Sequence, residues 1–291
     1  MDIVDTQIHL GPGGISETLA QMDALGIAAA LIDEYWFTGT PNEPHHVLAG
    51  GVQRPVAPTA ELASQLHPER FSYLLRVDVR DPDYAQIIRQ LRDAPGGRAL
   101  RIDPGMSAER RKAFASGGYD HILAAAAETG LPLFAFAPDN PAAFARAAKA
   151  FPGLKLIVDH CGLFSNSMRT SFANLPPLSE TEQMALFGEV LALAEFPNVA
   201  LKWGHSSGMF DKPAWPGESL WPILRSAIDA FGPDRVMWAS DFSVNQRGES
   251  WADLLYGVLG DPDLSQGERE WVLGKSLRTW LDWPTLAENK S

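Results

Sequence analysis

Short apolar runs rich in Val, Ile, Leu and Phe recur along the chain, and each is followed by a stretch with helical periodicity. Eight of them read as strands: "IVDTQIHL" from Ile3, "IAAALIDEY" from Ile27, "FSYLLRVDV" from Phe71, "RALRID" from Arg98, "LPLFAFA" from Leu131, "KLIVDH" from Lys155, "VALKWGH" from Val199 and "RVMWASD" from Arg235. Helix-like segments lie between them, among them "ISETLAQMDALG", "YAQIIRQLRDA", "YDHILAAAAETG", "PAAFARAAKAFPG" and "ESLWPILRSAIDAFGPDR", and several end at Gly or Pro, as helix stops do. Runs this uniformly apolar suit parallel strands covered on both faces. Eight such units close into a (β/α)₈ TIM barrel of the α/β class, whose active site belongs at the C-terminal ends of the strands. The alternative is an open doubly wound sheet. No Gly-x-Gly-x-x-Gly follows a strand, so dinucleotide binding has no support.

The 291 residues, 45% of them hydrophobic, are enough for one large core, and a single domain over 1–291 with extended βα loops is expected. Lys and Arg number 24 against 36 Asp and Glu, a formal net charge of −12 that repels a phosphate backbone and argues against nucleic acid. A lone cysteine, Cys161, permits no intramolecular disulfide and no CxxC-type zinc cluster. The start "MDIVDTQIHL" has no basic and apolar leader pattern, and no later run approaches the roughly 18 apolar residues of a membrane span. A cytoplasmic protein acting on a small molecule, without a membrane partner, is therefore expected. Barrels of this kind often pair through their outer helices, so a homo-oligomer is a further expectation.

Three connections exceed what a βα loop needs, and all follow a strand's C-terminus: 38–70 with His45 and His46, 161–183, and 205–219 with Phe210 and Trp215. Long loops on that face usually shape a substrate pocket, and Trp36, Trp203, Phe210 and Trp215 are candidates for its apolar wall. His67 and His121 lie in loop or helical contexts and receive no role.

Polar residues gather at the same end of nearly every run. Asp5, Gln7 and His9 alternate along the first, so their side chains are expected to point to one side. Arg76 lies at the end of the third, Arg101 and Asp103 at the end of the fourth, His160 ends the sixth, Lys202 and His205 belong to the seventh, and Asp241 ends the eighth. Each alone has a structural explanation: a hydrogen-bonded histidine, or Arg76 and Arg101 paired with Asp78 and Asp103 in the barrel wall. Convergence on one mouth favours function for His9, His160 and Asp241.

Three motifs make the chain resemble the amidohydrolase-related branch of the amidohydrolase superfamily. "DTQIHL" parallels that family's Asp-x-His-x-His, "LIVDHCG" its Asp-His-x-Gly on strand six, and "FGPDRVMWASDF" its Phe-Gly-x-Asp-Arg-x-x-x-x-Ser-Asp at strand eight. The resemblance spans essentially the whole chain and implies the same barrel. It also implies either lactone hydrolysis, in some members without metal, or metal-dependent nonoxidative decarboxylation. Metal-using members hold the ion with two strand-one histidines, a strand-five histidine and the strand-eight aspartate. Those positions carry Gln7, His9, Phe136 and Asp241 here, so two imidazoles are missing.

An amide oxygen is a weak ligand and a phenyl ring is none, so a divalent ion, Zn or Mn, would need His9, Asp241 and a recruited His160 or His205. The expected cofactor is accordingly none or one such ion. Ester hydrolysis without a Lewis acid needs a base and a group to hold the oxyanion. Asp241 is the candidate base, with His9 and His160 as catalytic partners. Arg76, Arg101, Lys202, His205, Gln7 and Trp203 are the candidate substrate contacts. The expected activity is C–O hydrolysis of a small carboxylated lactone or cyclic ester. A metal-dependent decarboxylase and a non-catalytic ligand-binding barrel are the alternatives.

Overall fold

A computed structural model describes the chain except residues 11–12, 35, 38–40, 43, 172, 245–246 and 286–291; the side chains of 36–37 and 41–42, Trp36 among them, also lie outside the described residues. Eight parallel strands form one sheet in chain order: β1 (Ile3–Ile8), β2 (Ile27–Asp33), β3 (Phe71–Arg76), β4 (Gly97–Ile102), β5 (Leu133–Ala135), β6 (Leu156–Val158), β7 (Val199–Gly204) and β8 (Val236–Ala239). Each successive pair is joined by a helical crossover, which gives the (β/α)₈ barrel expected from the periodicity.

Strand parity divides the core into two layers. Val4, Leu31, Leu74, Ala99, Phe134, Ile157, Ala200 and Met237 fill the barrel interior. The C-terminal segment closes that interior from below with Leu277, Trp280, Leu281 and Trp283. It is tied to the strand starts by Lys155, whose Nζ donates to the Trp280 carbonyl at 2.9 Å, and by Arg98, which donates to that of Asp282 at 2.9 Å. Residues of the other parity, such as Ile32, Tyr73, Leu100 and Trp203, pack outward under the helices. Gly26 ends the first helix (Gly14–Leu25) with φ 71°, a left-handed turn open to glycine at little cost.

The seam between β8 and β1 is closed by little backbone pairing. Asp241 N–H donates to the Gln7 carbonyl at 3.0 Å, and Asp5 supplies the rest: its Oδ1 accepts from Ser240 N–H at 3.0 Å and Gln7 N–H at 3.1 Å, and its Oδ2 from the Trp251 indole at 2.7 Å. Trp251 begins a helix (Trp251–Leu259) capped by Ser250, which accepts from Asp253 N–H at 3.1 Å. Burial outweighs these neutral donors and raises the Asp5 pKa to about 6. Between about pH 4 and 6 the folded chain therefore keeps a proton that the unfolded chain releases, so Asp5 lowers stability as pH rises through that window. Thermal melts of Asp5→Asn against wild type should show the variant gaining on wild type from pH 4 to 6; a constant difference would show that Asp5 does not titrate there.

The insertion after β2 is partly ordered by its own pairing, since His45–Val47 runs antiparallel to Gln53–Pro55 and leads into a helix at Pro58–Leu66. His46 is exposed there. Among the described residues no helix is long and apolar enough to cross a membrane.

Candidate active site

The candidate site arises from one step along each strand. Two residues beyond the apolar interior layer, the same inward parity carries Asp33 on β2, Arg76 on β3, Arg101 on β4, Phe136 after β5, Asp159 after β6 and Lys202 on β7. A polar layer thus sits on an apolar plug, at the end of the barrel where the βα loops begin.

β1 reaches that layer by a different route. Asp5 pairs in register with Ala30 and Ile8 with Ile32, so β1 holds one more residue than β2 between those points. This bulge reverses parity, a common device next to active sites. Asp5 accordingly reaches Trp251 on an outer helix, while Gln7 and His9 turn inward; the expectation that all three point to one side is corrected.

Most of the cations are committed to carboxylates. Asp33 accepts both Nε and Nη2 of Arg76, at 2.8 and 2.7 Å, and also pairs with Arg101. Arg101 in addition meets Asp159 at 2.9 Å and Asp103 at 3.2 Å, and Arg76 meets Asp103 at 3.2 Å. Asp78, the other partner considered for these arginines, pairs instead with Arg80 at 2.8 Å. Lys202 donates to Gln7 Oε1 and pairs with Asp159. Burial alone would raise Asp33 and Asp159, but Arg76 and Arg101 beside the first, and Arg101 and Lys202 beside the second, hold both below the usual carboxylate range. Arg101 and Lys202 are fully buried, whereas Arg76 retains 16% side-chain exposure and faces the mouth. Asp33 and Asp159 escaped the sequence reading, although Asp33 shares inward parity with Leu31 and that signal was present.

Asp241 is the focus of the second half of the site. Its Oδ2 accepts from Gln7 Nε2 at 3.1 Å and lies 2.9 Å from His205 Nε2, and its Oδ1 lies 2.9 Å from His9 Nε2. His9 is oriented by its Nδ1, which donates to the Asp33 carbonyl at 2.6 Å. His160 Nε2 stands 3.7 Å from Asp241 Oδ2 and 3.4 Å from Arg101 Nη2. Burial would push the Asp241 carboxyl up; the charges of His205 and His9 prevail and hold it well below the ordinary range. Burial, reinforced by the charge of Lys202, keeps His160 neutral, well below the usual imidazole value. Gly204 makes room here, since a Cβ on it would come within 3.1 Å of Lys202 Cε and 3.4 Å of His160 Nδ1.

The aromatic wall differs from the one expected. Trp203 has outward parity and stacks on Phe210 at 5.7 Å, so neither lines the polar layer; this corrects the placement of Trp203 among the substrate contacts. Trp215 is exposed and packs edge-on against Tyr256. The apolar side is made instead by Phe136, edge-on to His160 at 5.3 Å, and by Phe164 from the 161–183 connection, 5.9 Å from Phe136. His121 is structural, hydrogen-bonded to the Val79 carbonyl at 3.0 Å.

A sequence profile of the amidohydrolase family matches residues 5–278. The chain belongs to the amidohydrolase family. It is thereby placed among the enzymes of the amidohydrolase superfamily, and the fold agrees with solved relatives. An amidohydrolase of Burkholderia multivorans with bound zinc superposes with a TM-score of 0.73 at 17% identity, over 98% of this chain and 100% of that one. A probable 2-pyrone-4,6-dicarboxylic acid hydrolase of Acinetobacter baumannii with citric acid bound gives 0.66 at 12% identity, over 97% and 100%. A 5-carboxyvanillate decarboxylase of Novosphingobium aromaticivorans with bound manganese gives 0.59 at 16%, over 97% of each chain. An uncharacterized protein of Sinorhizobium fredii is 33% identical over 109 residues, which is 37% of this chain and only 32% of that protein.

Of the four positions expected to hold an ion in metal-using members, Gln7 and Phe136 do not fit one here, and His9 and Asp241 alone fall short of a three-ligand site. Gln7 Oε1 faces the Lys202 ammonium, and Phe136 presents a ring edge. Elsewhere in the site, among the described residues, His160, His205 and Asp241 each offer a ligand atom within 4.8 Å of the others.

Proposed function

We propose that this amidohydrolase hydrolyses the C–O bond of a small, carboxylated lactone or cyclic ester. The observation that carries the reading is Asp241, a carboxylate held anionic at the strand ends and surrounded by imidazoles and an amide. Such a group can take a proton from water as the water oxygen adds to the lactone carbonyl. His160 and His205, both beside Asp241, would donate to the oxyanion of the tetrahedral adduct. When the ring C–O bond breaks, the departing oxygen takes back the proton from Asp241, which restores the site. An alkoxide or enolate leaves more readily than an amine anion, so this arrangement suits esters better than amides.

Arg76 is the cation with access to the mouth, and we assign it the substrate carboxylate. Arg101 and Lys202 support the layer from below, and Gln7 links Lys202 to Asp241. The solved relatives include both a pyrone-dicarboxylate hydrolase and a carboxyvanillate decarboxylase, so nonoxidative decarboxylation is the second reading, favoured by the ligand group at His160, His205 and Asp241.

Incubation with a panel of lactone carboxylates and hydroxybenzoic acids, followed by proton release and carbon dioxide evolution, separates the two. Ring opening without gas is the expected result. Carbon dioxide from the aromatic acids with no ring opening would overturn it.

A further inference from the structure

His160, His205 and Asp241 share an unusual backbone conformation. Each is the first or second residue beyond its strand, and each is left-handed, with φ of 47°, 52° and 48°. For residues with a Cβ this conformation costs on the order of 1–2 kcal/mol, and such strain tends to persist at functional sites. Here it occurs on the adjacent strands β6, β7 and β8 and turns all three side chains toward one point.

The spacing at that point is compatible with three ligands of one ion. His205 Nε2 and His160 Nε2 lie 2.9 and 3.7 Å from Asp241 Oδ2. Donors arranged tetrahedrally at Zn distances of about 2.0–2.1 Å stand roughly 3.3 Å apart. His160 Nδ1 is buried with no hydrogen-bond partner among the described residues.

Charge points to the same place. Asp33, Asp103 and Asp159 are each paired with Arg76, Arg101 or Lys202, while the partners of Asp241 are imidazoles and the Gln7 amide. Of these four carboxylates, Asp241 is the one with no Lys or Arg pairing among the described residues. The β1 side has its own cation in the Lys202 ammonium on Gln7.

We propose that the divalent-cation site of this protein lies on His160, His205 and Asp241, displaced from the β1 and β5 positions, where Gln7 meets the Lys202 ammonium and Phe136 stands. Two imidazoles and one carboxylate suit Zn²⁺ and similar borderline ions, with a fourth position left open. The inference rests on the geometry of these three residues; with a cation bound, the cation would polarise the substrate carbonyl in place of His160 and His205.

The test is titration of chelator-treated full-length protein with Co²⁺ alone, followed by calorimetry and visible absorption. Wild type is expected to bind one Co²⁺ per chain. His205→Asn, whose side chain tolerates the left-handed backbone, is expected to weaken binding by more than about tenfold. His9→Gln, which alters the β1 seat and a neighbour of Asp241, is expected to keep one Co²⁺ per chain with a smaller loss of affinity than His205→Asn. Failure of wild type to bind overturns the proposal, as does a loss of affinity in His9→Gln as large as that in His205→Asn or larger. Circular dichroism verifies folding of each variant. Should His205→Asn not fold, Asp241→Asn decides, and retained binding in that variant overturns the site.

Discussion

Asp241→Asn is expected to reduce turnover of the lactone substrate by about two orders of magnitude or more, the usual consequence of removing a general base. The substitution keeps the size of the side chain and, because Asn adopts left-handed backbone readily, keeps the φ of 48° without added strain. It also keeps an acceptor oxygen for the Gln7 amide, 3.1 Å from Oδ2 in the wild type. The loss should therefore fall on kcat, with thermal stability changed much less. Because the carboxylate of Asp241 is held well below its ordinary range by His205 and His9, the acid limb of the wild-type profile should not come from protonation of Asp241 near pH 4. Unchanged kcat in the variant would remove Asp241 from the chemistry and leave the proposed hydrolysis without its base.

Asp33→Ala is expected to cost about 3–5 kcal/mol, the range for breaking a buried ion pair from one side. Asp33 is fully buried and pairs with both Arg76 and Arg101, so its loss leaves two guanidinium groups facing each other across a cavity. Asp159 and Asp103 still partner Arg101, which places the effect toward the lower end of that range. For a chain of this size 3 kcal/mol corresponds to a fall in Tm of about 5 °C. The pairing has a definite pH dependence. Asp33 and Asp159 lie below the unfolded carboxylate value, so their contribution is fully present above about pH 4 and is lost as pH falls below it. A melting series in which Asp33→Ala matches wild type at pH 7 would show that the network contributes no stability.

Arg101 illustrates how sequence and structure divide the explanation. A strand-end arginine in a barrel suits a substrate carboxylate or a wall ion pair equally well, and only the neighbours decide. Asp159 comes from β6, two strands from β4, and Asp33 from β2, two strands away on the other side. No local pattern contains those partners. Trp203 is a similar case, since one step of parity separates it from Lys202 and sends it under the helices rather than into the mouth.

The sequence by itself determined the barrel, because eight apolar runs with helical crossovers have few ways to bury both faces of every strand. It also determined that His9, His160 and Asp241 meet, because strand-end positions in a barrel share one mouth, and it showed the loss of two imidazoles at Gln7 and Phe136 directly in the residue types. Tertiary structure alone decided which way Asp5 points, since a one-residue bulge against β2 is a property of the pairing and not of "DTQIHL". It alone seated the Lys202 ammonium on Gln7, and it alone turned His160, His205 and Asp241 left-handed toward one point. Those features depend on charges and backbone turns brought together from strands far apart in the chain, and their energies exist only once the barrel has closed.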